Sequence, residues 1–234
     1  MAGVASRRGS DGLIAEGRVE VNGERVEHAG IRIDPVSDTV CVDDRPVRLP
    51  RRNTSLILNK PRGMLVTLKD PRGRSTIAAI LADLPERVFP VGRLDKDSGG
   101  LLLLTSDGDL AHRVAHPSFG FRKTYRVTVA GEFNQADLSS MRRGVLLTEG
   151  MTRPVSARIL GGDSDRTEIE IVLVEGRKRE IRRILSRLGF GVTSLVRVGL
   201  GELRLGALRP GEWRLLSSQE VRELRRAAGL EDRD

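Results

Sequence analysis

The chain has 234 residues, 38% of them hydrophobic and 31% charged, which suits one large or two smaller globular domains with a substantial core. Forty basic residues against 32 acidic ones leave a formal net charge of +8, a balance that favours a polyanionic partner such as nucleic acid. No run nears the ~18 apolar residues of a membrane span, residues 1–12 lack the apolar stretch of a secretory signal, and the lone Cys41 excludes an internal disulfide, so a cytoplasmic protein is expected.

In chain order, "SDGLIAEG" (10–17) predicts a short helix capped by Ser10 or Asp11 and ended by Gly17. "RVEVNGERV" predicts a hairpin around Asn22-Gly23, and "DTVCVDDRPV" another strand and turn. The Pro- and Arg-rich "RPVRLPRRN" (45–53) reads as a linker. Beyond it, "SLILNKPRGM" predicts a buried strand running into a Pro-Gly turn, and "STIAAILADL" a helix. "RVFPVGRLD" and "GLLLLTSDG" are strand candidates, with Gly99 and Gly100 letting the chain turn sharply into the second. Then come a helix capped by Ser106 or Asp107, the alternating strand "KTYRVTVAG", and a helix, "NQADLSSMRRG", closed by Gly144. Two strands, "PVSARILGG" and "RTEIEIVLVEG", precede a helix over 178–188 with Ile181, Ile184, Leu185 and Leu188 in its apolar stripe. "VTSLVRVGLGELRLG" and "GEWRLLS" add strands, and "SSQEVRELRRAAG" a last helix capped by Ser217 or Ser218, with Glu220 completing a capping box. This interspersion predicts an α+β fold around a mainly antiparallel mixed sheet.

His112 and His116 are four apart on a helix, a spacing that can bind zinc, but the other soft ligands are only His28 and Cys41, so a surface or capping role is expected and no metal. Neither a GxxxxGK[ST] loop nor a GxGxxG after a strand is present, which points away from nucleotide cofactors. From Arg177 to Arg187 there are six basic residues and one acid. Arg179, Arg183 and Arg187 share a face suited to phosphates, although such a run also reads as a solvated face. Arg182, at the edge of the apolar stripe, is placed to turn into a cleft and pair bidentately with a carboxylate. The segment 91–98 offers such a carboxylate in Asp95, which also reads as a turn cap or a partner for Arg93. Spacing does not separate it from Asp97, Asp107 and Asp109.

"GRLDKDSGGLLLLTSDG" resembles the catalytic-Asp motif of RNA pseudouridine synthases, closest to the RsuA/RluB branch that modifies ribosomal RNA. "NKPRGML" looks like that branch's entry strand and turn, "KTYRV" like its tyrosine motif, "EGRKREIRRILSRLG" like its third motif, and "LVRVGLGELRLGALRPGEWRLLS" like its C-terminal strands. These occur in the family's order over residues 54–220. "GVASRR…LIAEGRVEVNGERV" is similar to an S4 RNA-binding domain, and the chain starts almost inside that motif, which predicts a module lacking its first helix. Gly99 departs from the branch, which often has a larger polar residue or Ser there.

The resemblance implies an S4-like domain over 1–45, a linker over 46–53, a catalytic domain over 54–220 and a C-terminal helix and tail over 221–234. It implies isomerisation of uridine to pseudouridine in ribosomal RNA, large-subunit RNA in preference to small-subunit RNA, by a monomer without cofactor. Asp95 would be the essential carboxylate, either attacking C1′ or removing the C2′ proton. Tyr125 would stack on the target base, Arg182 pair with Asp95, and Ile181 form part of the pocket wall. Arg7, Arg8, Arg93, Lys123, Lys178, Arg179, Arg183 and Arg187 would contact RNA. The alternative is a non-catalytic RNA-binding or ribosome-assembly protein using the same basic surfaces.

Overall fold

The computed structural model describes residues 4–34, 37–47 and 53–230. The chain divides into two compact units at Asn53/Thr54.

In the first unit, α1 (Arg7–Ala15) is followed by β1 (Val19–Val21), β2 (Glu24–Arg25), β3 (Val40–Val42) and β4 (Arg45–Pro46), which form an antiparallel sheet in the order β2-β1-β3-β4. The cap of α1 is Ser6 rather than Ser10 or Asp11, because the Ser6 Oγ accepts the Gly9 N–H at 3.1 Å and starts the helix earlier. Asn22 and Gly23 both have positive φ, 53° and 83°, as a two-residue hairpin turn requires. Asp43 and Asp44 make a second such turn, and Arg18 clasps Asp43 through Nε and Nη2 at 2.7 and 2.6 Å. Arg45 and Pro46, read as linker, belong to β4, while most of the expected linker, residues 48–52, lies outside the described residues.

The second unit contains β5 (Ser55–Lys60), β6 (Phe89–Pro90), β7 (Gly99–Thr105), α2 (Gly108–Ala115), β8 (Lys123–Ala130), α3 (Gln135–Arg143), β9 (Val145–Leu147) and β10 (Gly150–Thr152). It continues with β11 (Ser156–Gly162), β12 (Arg166–Leu173), α4 (Glu180–Arg187), β13 (Val192–Leu200), β14 (Leu203–Arg204), β15 (Trp213–Leu215) and α5 (Ser218–Ala227). Nine strands form one sheet along the path β11-β12-β8-β13-β7-β5-β15, with β14 beside β13 and β6 beside β7. Among these pairings, β7 with β13 is parallel and the rest are antiparallel, an α+β fold with a mixed sheet. The last helix starts at Ser218, before the expected boundary at 221, and its Leu224 enters the same core as β7.

The run Leu101–Leu104 is apolar throughout because β7 is covered on both faces. Leu101 and Leu103 pack with Leu110 and Val114 of α2 and Leu224 of α5, whereas Leu102 and Leu104 pack with Leu56, Leu58 and Ile77. A third cluster joins β8, β12 and β13 to α3 and α4 through Val127, Ile171, Leu195, Met141, Ile181 and Ile184.

Two further expectations are corrected. Residues 75–84 form only a short 3-10 turn at Ile77–Ala79, because the backbone there is spent on Leu65: Leu65 N–H bonds the Ser75 carbonyl at 2.9 Å and Ile77 N–H the Leu65 carbonyl at 3.1 Å. Gly99 and Gly100 are not a turn before β7 but its first two residues. Gly100 has φ +100°, and a Cβ there would lie 2.7 Å from the Arg197 backbone nitrogen and closer still to its carbonyl oxygen. The missing side chain is what lets β13 approach β7. Gly100→Ala is therefore expected to destabilise the protein by about 3 kcal/mol, read as a lower urea midpoint. A change below about 0.5 kcal/mol would refute this account of the glycine.

Candidate active site

Asp95 opens a tight turn between β6 and β7 in which the Ser98 N–H bonds the Asp95 carbonyl at 3.0 Å. Its half-buried carboxylate has no hydrogen bond or ion pair among the described residues. A lysine that sequence reasoning passed over builds this turn. Lys60, at the end of β5 and 1% exposed, donates from Nζ to the carbonyls of Ser98 at 2.7 Å and Pro61 at 2.8 Å, and reaches that of Lys96 at 3.5 Å. Burial brings its pKa down to about 8 against the upward pull of Asp95 and Asp97. The signal was a lysine closing an otherwise apolar strand, "SLILNK".

Asp95 lines a cavity of about 370 Å³ together with Arg93, Ser98, Lys123, Tyr125, Ile181 and Arg197. That volume is within the ~300–1,000 Å³ of small-ligand sites. Tyr125 projects from β8 directly opposite Arg197 of β13, so ring and guanidinium share one face of the sheet. Ile181 comes from the first turn of α4, which Glu180 anchors: its carboxylate accepts Thr152 Oγ1 at 2.8 Å and the Arg177 N–H at 3.0 Å. The residue before the helix, Arg179, has φ +52°, an uncommon conformation for a non-glycine residue.

The structure thus brings Asp95, Tyr125 and Ile181 into one cavity, with Arg93, Lys178 and Arg179 exposed at its margin. Lys123 is buried rather than displayed, its Nζ bonding the Val174 carbonyl at 2.8 Å. Arg182 does not pair with Asp95. Its guanidinium is taken by main-chain carbonyls, Asp97 at 3.0 Å and Val192 at 3.2 Å, so it holds the Asp95 turn by the backbone two residues further on. Burial lowers the Arg182 pKa, with Asp97 and Asp95 pulling it up. Asp97 meets Arg179 at 3.6 Å.

A second hollow of about 340 Å³ is lined by Arg179, Arg182, Arg183, Arg187, Ser186 and Thr148, so Arg179 borders both. Arg183 is clasped there by Glu149, whose carboxyl it holds down at about 2. Arg187 is exposed, and Arg8 lies exposed on α1, while the Arg7 side chain is outside the described residues. His112 and His116 form an aromatic cluster with Phe119, with ring centroids 5.5 to 6.1 Å apart.

Three buried polar atoms without a hydrogen-bond partner among the described residues belong to the lining of the Asp95 cavity: Ser98 Oγ, Arg177 Nη1 and Arg197 Nη2. Such atoms are rare in folded proteins, and their concentration at one cavity marks a ligand site.

A family model described as RNA pseudouridylate synthase matches residues 54–187, and one described as S4 domain matches residues 1–40. The chain is 45% identical over 230 residues to a protein of Aquifex aeolicus described as an uncharacterized RNA pseudouridine synthase, covering 98% of this chain and 92% of that one. It is 38% identical over 229 residues to the ribosomal large subunit pseudouridine synthase B of Bacillus subtilis, covering 97% and 93%. A crystal structure of a pseudouridylate synthase matches with a TM-score of 0.67 at 29% identity, covering 94% of each chain.

Proposed function

The chain belongs to the RNA pseudouridine synthase family, with an S4 RNA-binding domain at its N-terminus, and from that premise we propose that it modifies a uridine of ribosomal RNA using Asp95. The observation that carries the site assignment is the Asp95 carboxylate, unpaired among the described residues, in one cavity with the Tyr125 ring and beside a basic margin. The name of the Bacillus subtilis relative supports the large-subunit RNA as substrate.

In this reading the target nucleotide leaves its stack, at a cost of a few kcal/mol, and its base settles on Tyr125 against Ile181. Asp95 then either attacks C1′ or removes the C2′ proton, and the C1′–N1 bond breaks with its electron pair going to N1. The base turns and C5 bonds to C1′, which releases the Asp95 carboxylate from C1′ in the first case or returns its proton to C2′ in the second; the C5 proton then leaves, and N1 gains a proton. Arg182 acts as a positioning residue, fixing the turn through the Asp97 carbonyl. Phosphates on either side of the target lie along Arg179, Lys178 and the arginine-lined hollow, which offsets the cost of extruding the base. The S4 domain supplies a second, tethered contact with RNA.

Tritium release from large-subunit ribosomal RNA transcribed with [5-³H]uridine tests the substrate: release saturating at one equivalent per modified site is expected. Release from small-subunit RNA alone would move the target. For the hollow, Arg187→Ala is expected to weaken RNA binding and flatten the log Kd against log[salt] slope by about one unit. An unchanged slope would assign Arg187 to a solvated face. Arg183 is partly neutralised by Glu149 and should change the slope less.

A further inference from the structure

We propose that Arg197 is a substrate-contacting residue that binds a carbonyl oxygen of the uracil and stabilises the negative charge the base carries once detached from the ribose. This rests on the reading that the Asp95 cavity receives the target uridine.

The cavity contains a second buried element that Asp95, Tyr125 and Ile181 do not account for. Arg197 and Lys123 both line it, at 3% and 8% exposure, and neither forms an ion pair among the described residues. Two buried cations near one another are costly to keep. Arg197 pushes the Lys123 pKa down, after the larger effect of burial, so the two repel. One end of the Arg197 guanidinium is fixed, since Nε donates to the Leu101 carbonyl at 2.7 Å. Its Nη2 is buried and has no acceptor among the described residues. A buried donor left without a partner costs roughly 1–3 kcal/mol, so this one is better explained by an acceptor that arrives with the substrate.

The backbone is shaped around this side chain. The β8–β13 register shifts between Arg197 and Gly199, an irregularity of the kind that re-aims side chains beside active sites. On the opposite flank Gly100 lets β7 press against the Arg197 backbone.

The acceptor is on the base rather than on a phosphate. Arg197 stands opposite Tyr125 in the sheet, so a base resting on the ring presents its edge towards the guanidinium. Arg93, Lys178 and Arg179, all exposed, are where solvated phosphates can stay, whereas Arg197 is behind them in the wall. Uracil brings two acceptors, O2 and O4. When C1′–N1 breaks, the bonding pair remains on N1 and delocalises onto those oxygens, whichever way Asp95 acts. The ring is an anion until C5 bonds C1′, and the later loss of the C5 proton and gain of a proton at N1 balance each other. A fixed buried cation at O2 or O4 interacts more strongly with that anion than with neutral bound uridine, and therefore lowers the barrier rather than only tightening binding.

The test uses RNA from cells deleted for this gene and labelled with [5-³H]uridine, which contains the unmodified target whichever RNA carries it. Full-length wild type, R197M, R197K and D95N are compared by single-turnover tritium release, RNA Kd and melting midpoint. R197M is expected to slow conversion by ~100-fold or more with Kd within about threefold of wild type. R197K keeps the charge and should recover about tenfold of that loss. Conversion by R197M within about threefold of wild type overturns the inference. So does a loss confined to Kd, which would mean a phosphate contact, or a loss that follows the melting midpoint equally in R197K and R197M, which would mean a structural role. Should R197M not fold, R197K decides: a wild-type rate overturns the inference, and a roughly tenfold loss at unchanged Kd supports it. D95N separates the two readings, because turnover by D95N would sink the cavity assignment itself, whereas an inert D95N with a fully active R197M would sink only this one.

Discussion

Asp95→Asn is expected to abolish conversion, by at least ~10³-fold, while leaving stability and RNA affinity close to those of wild type. The asymmetry comes from the carboxylate's surroundings. It is half-buried and holds no donor among the described residues, so an amide of the same shape orphans none of them. The turn it begins depends on main-chain bonds, the Ser98 N–H to the Asp95 carbonyl and the Lys60 clamp on Ser98 and Pro61, all of which asparagine preserves. What asparagine lacks is the charge needed to attack C1′ or take the C2′ proton. Melting temperature, Kd for RNA and tritium release, measured together, check it. Near-normal release would mean that another group reacts.

Asp107→Ala should show the opposite profile, a loss of about 4 kcal/mol of stability with little direct effect on chemistry. Asp107 is 5% exposed and is fully used inside the protein. One oxygen caps α2 by accepting the Asp109 and Leu110 N–H groups, both at 3.1 Å, and the other pairs with Arg225 of α5, itself 7% exposed. Removing the carboxylate uncaps the helix and leaves the Arg225 charge buried without this counter-ion. Urea denaturation of D107A measures the loss, and a cost below about 1 kcal/mol would contradict this use of the pair.

The two aspartates illustrate what a sequence can and cannot disclose. Residue spacing left Asp95, Asp97, Asp107 and Asp109 equivalent, because a carboxylate's partners come from distant segments: Arg225 lies 118 residues beyond Asp107. The elements with strong local signals were readable. Asn22-Gly23, the Ser217 capping box and the apolar stripe of α4 each encode their structure within a few residues. The stretch 75–84 was misread because its helical composition yields to backbone bonds with Leu65, a tertiary demand invisible in the local pattern. The β9–β10 hairpin was missed because its strands are three residues each and carry exposed Leu146 and Met151 on one side.

At the site, Tyr125 and Ile181 followed from resemblance, and Lys123 was visible as a cation in phase with Val127 and Val129 on an alternating strand. Arg197 gave the same signal on β13, in phase with Leu195, and an arginine on the apolar face of a central strand is a question the sequence already posed. The pairing of Arg182 with Asp95 failed in detail because the guanidinium finds the Asp97 and Val192 carbonyls first. Both versions place Arg182 on the Asp95 turn, but in the structure it steers the main chain.

The central claim, that this chain converts a ribosomal RNA uridine through Asp95, is tested most directly by mapping pseudouridines across ribosomal RNA from cells lacking the gene and from the same cells carrying wild type or D95N. The account predicts a pseudouridine in large-subunit RNA that wild type restores and D95N does not. Identical maps in all three strains, or restoration by D95N, would contradict it.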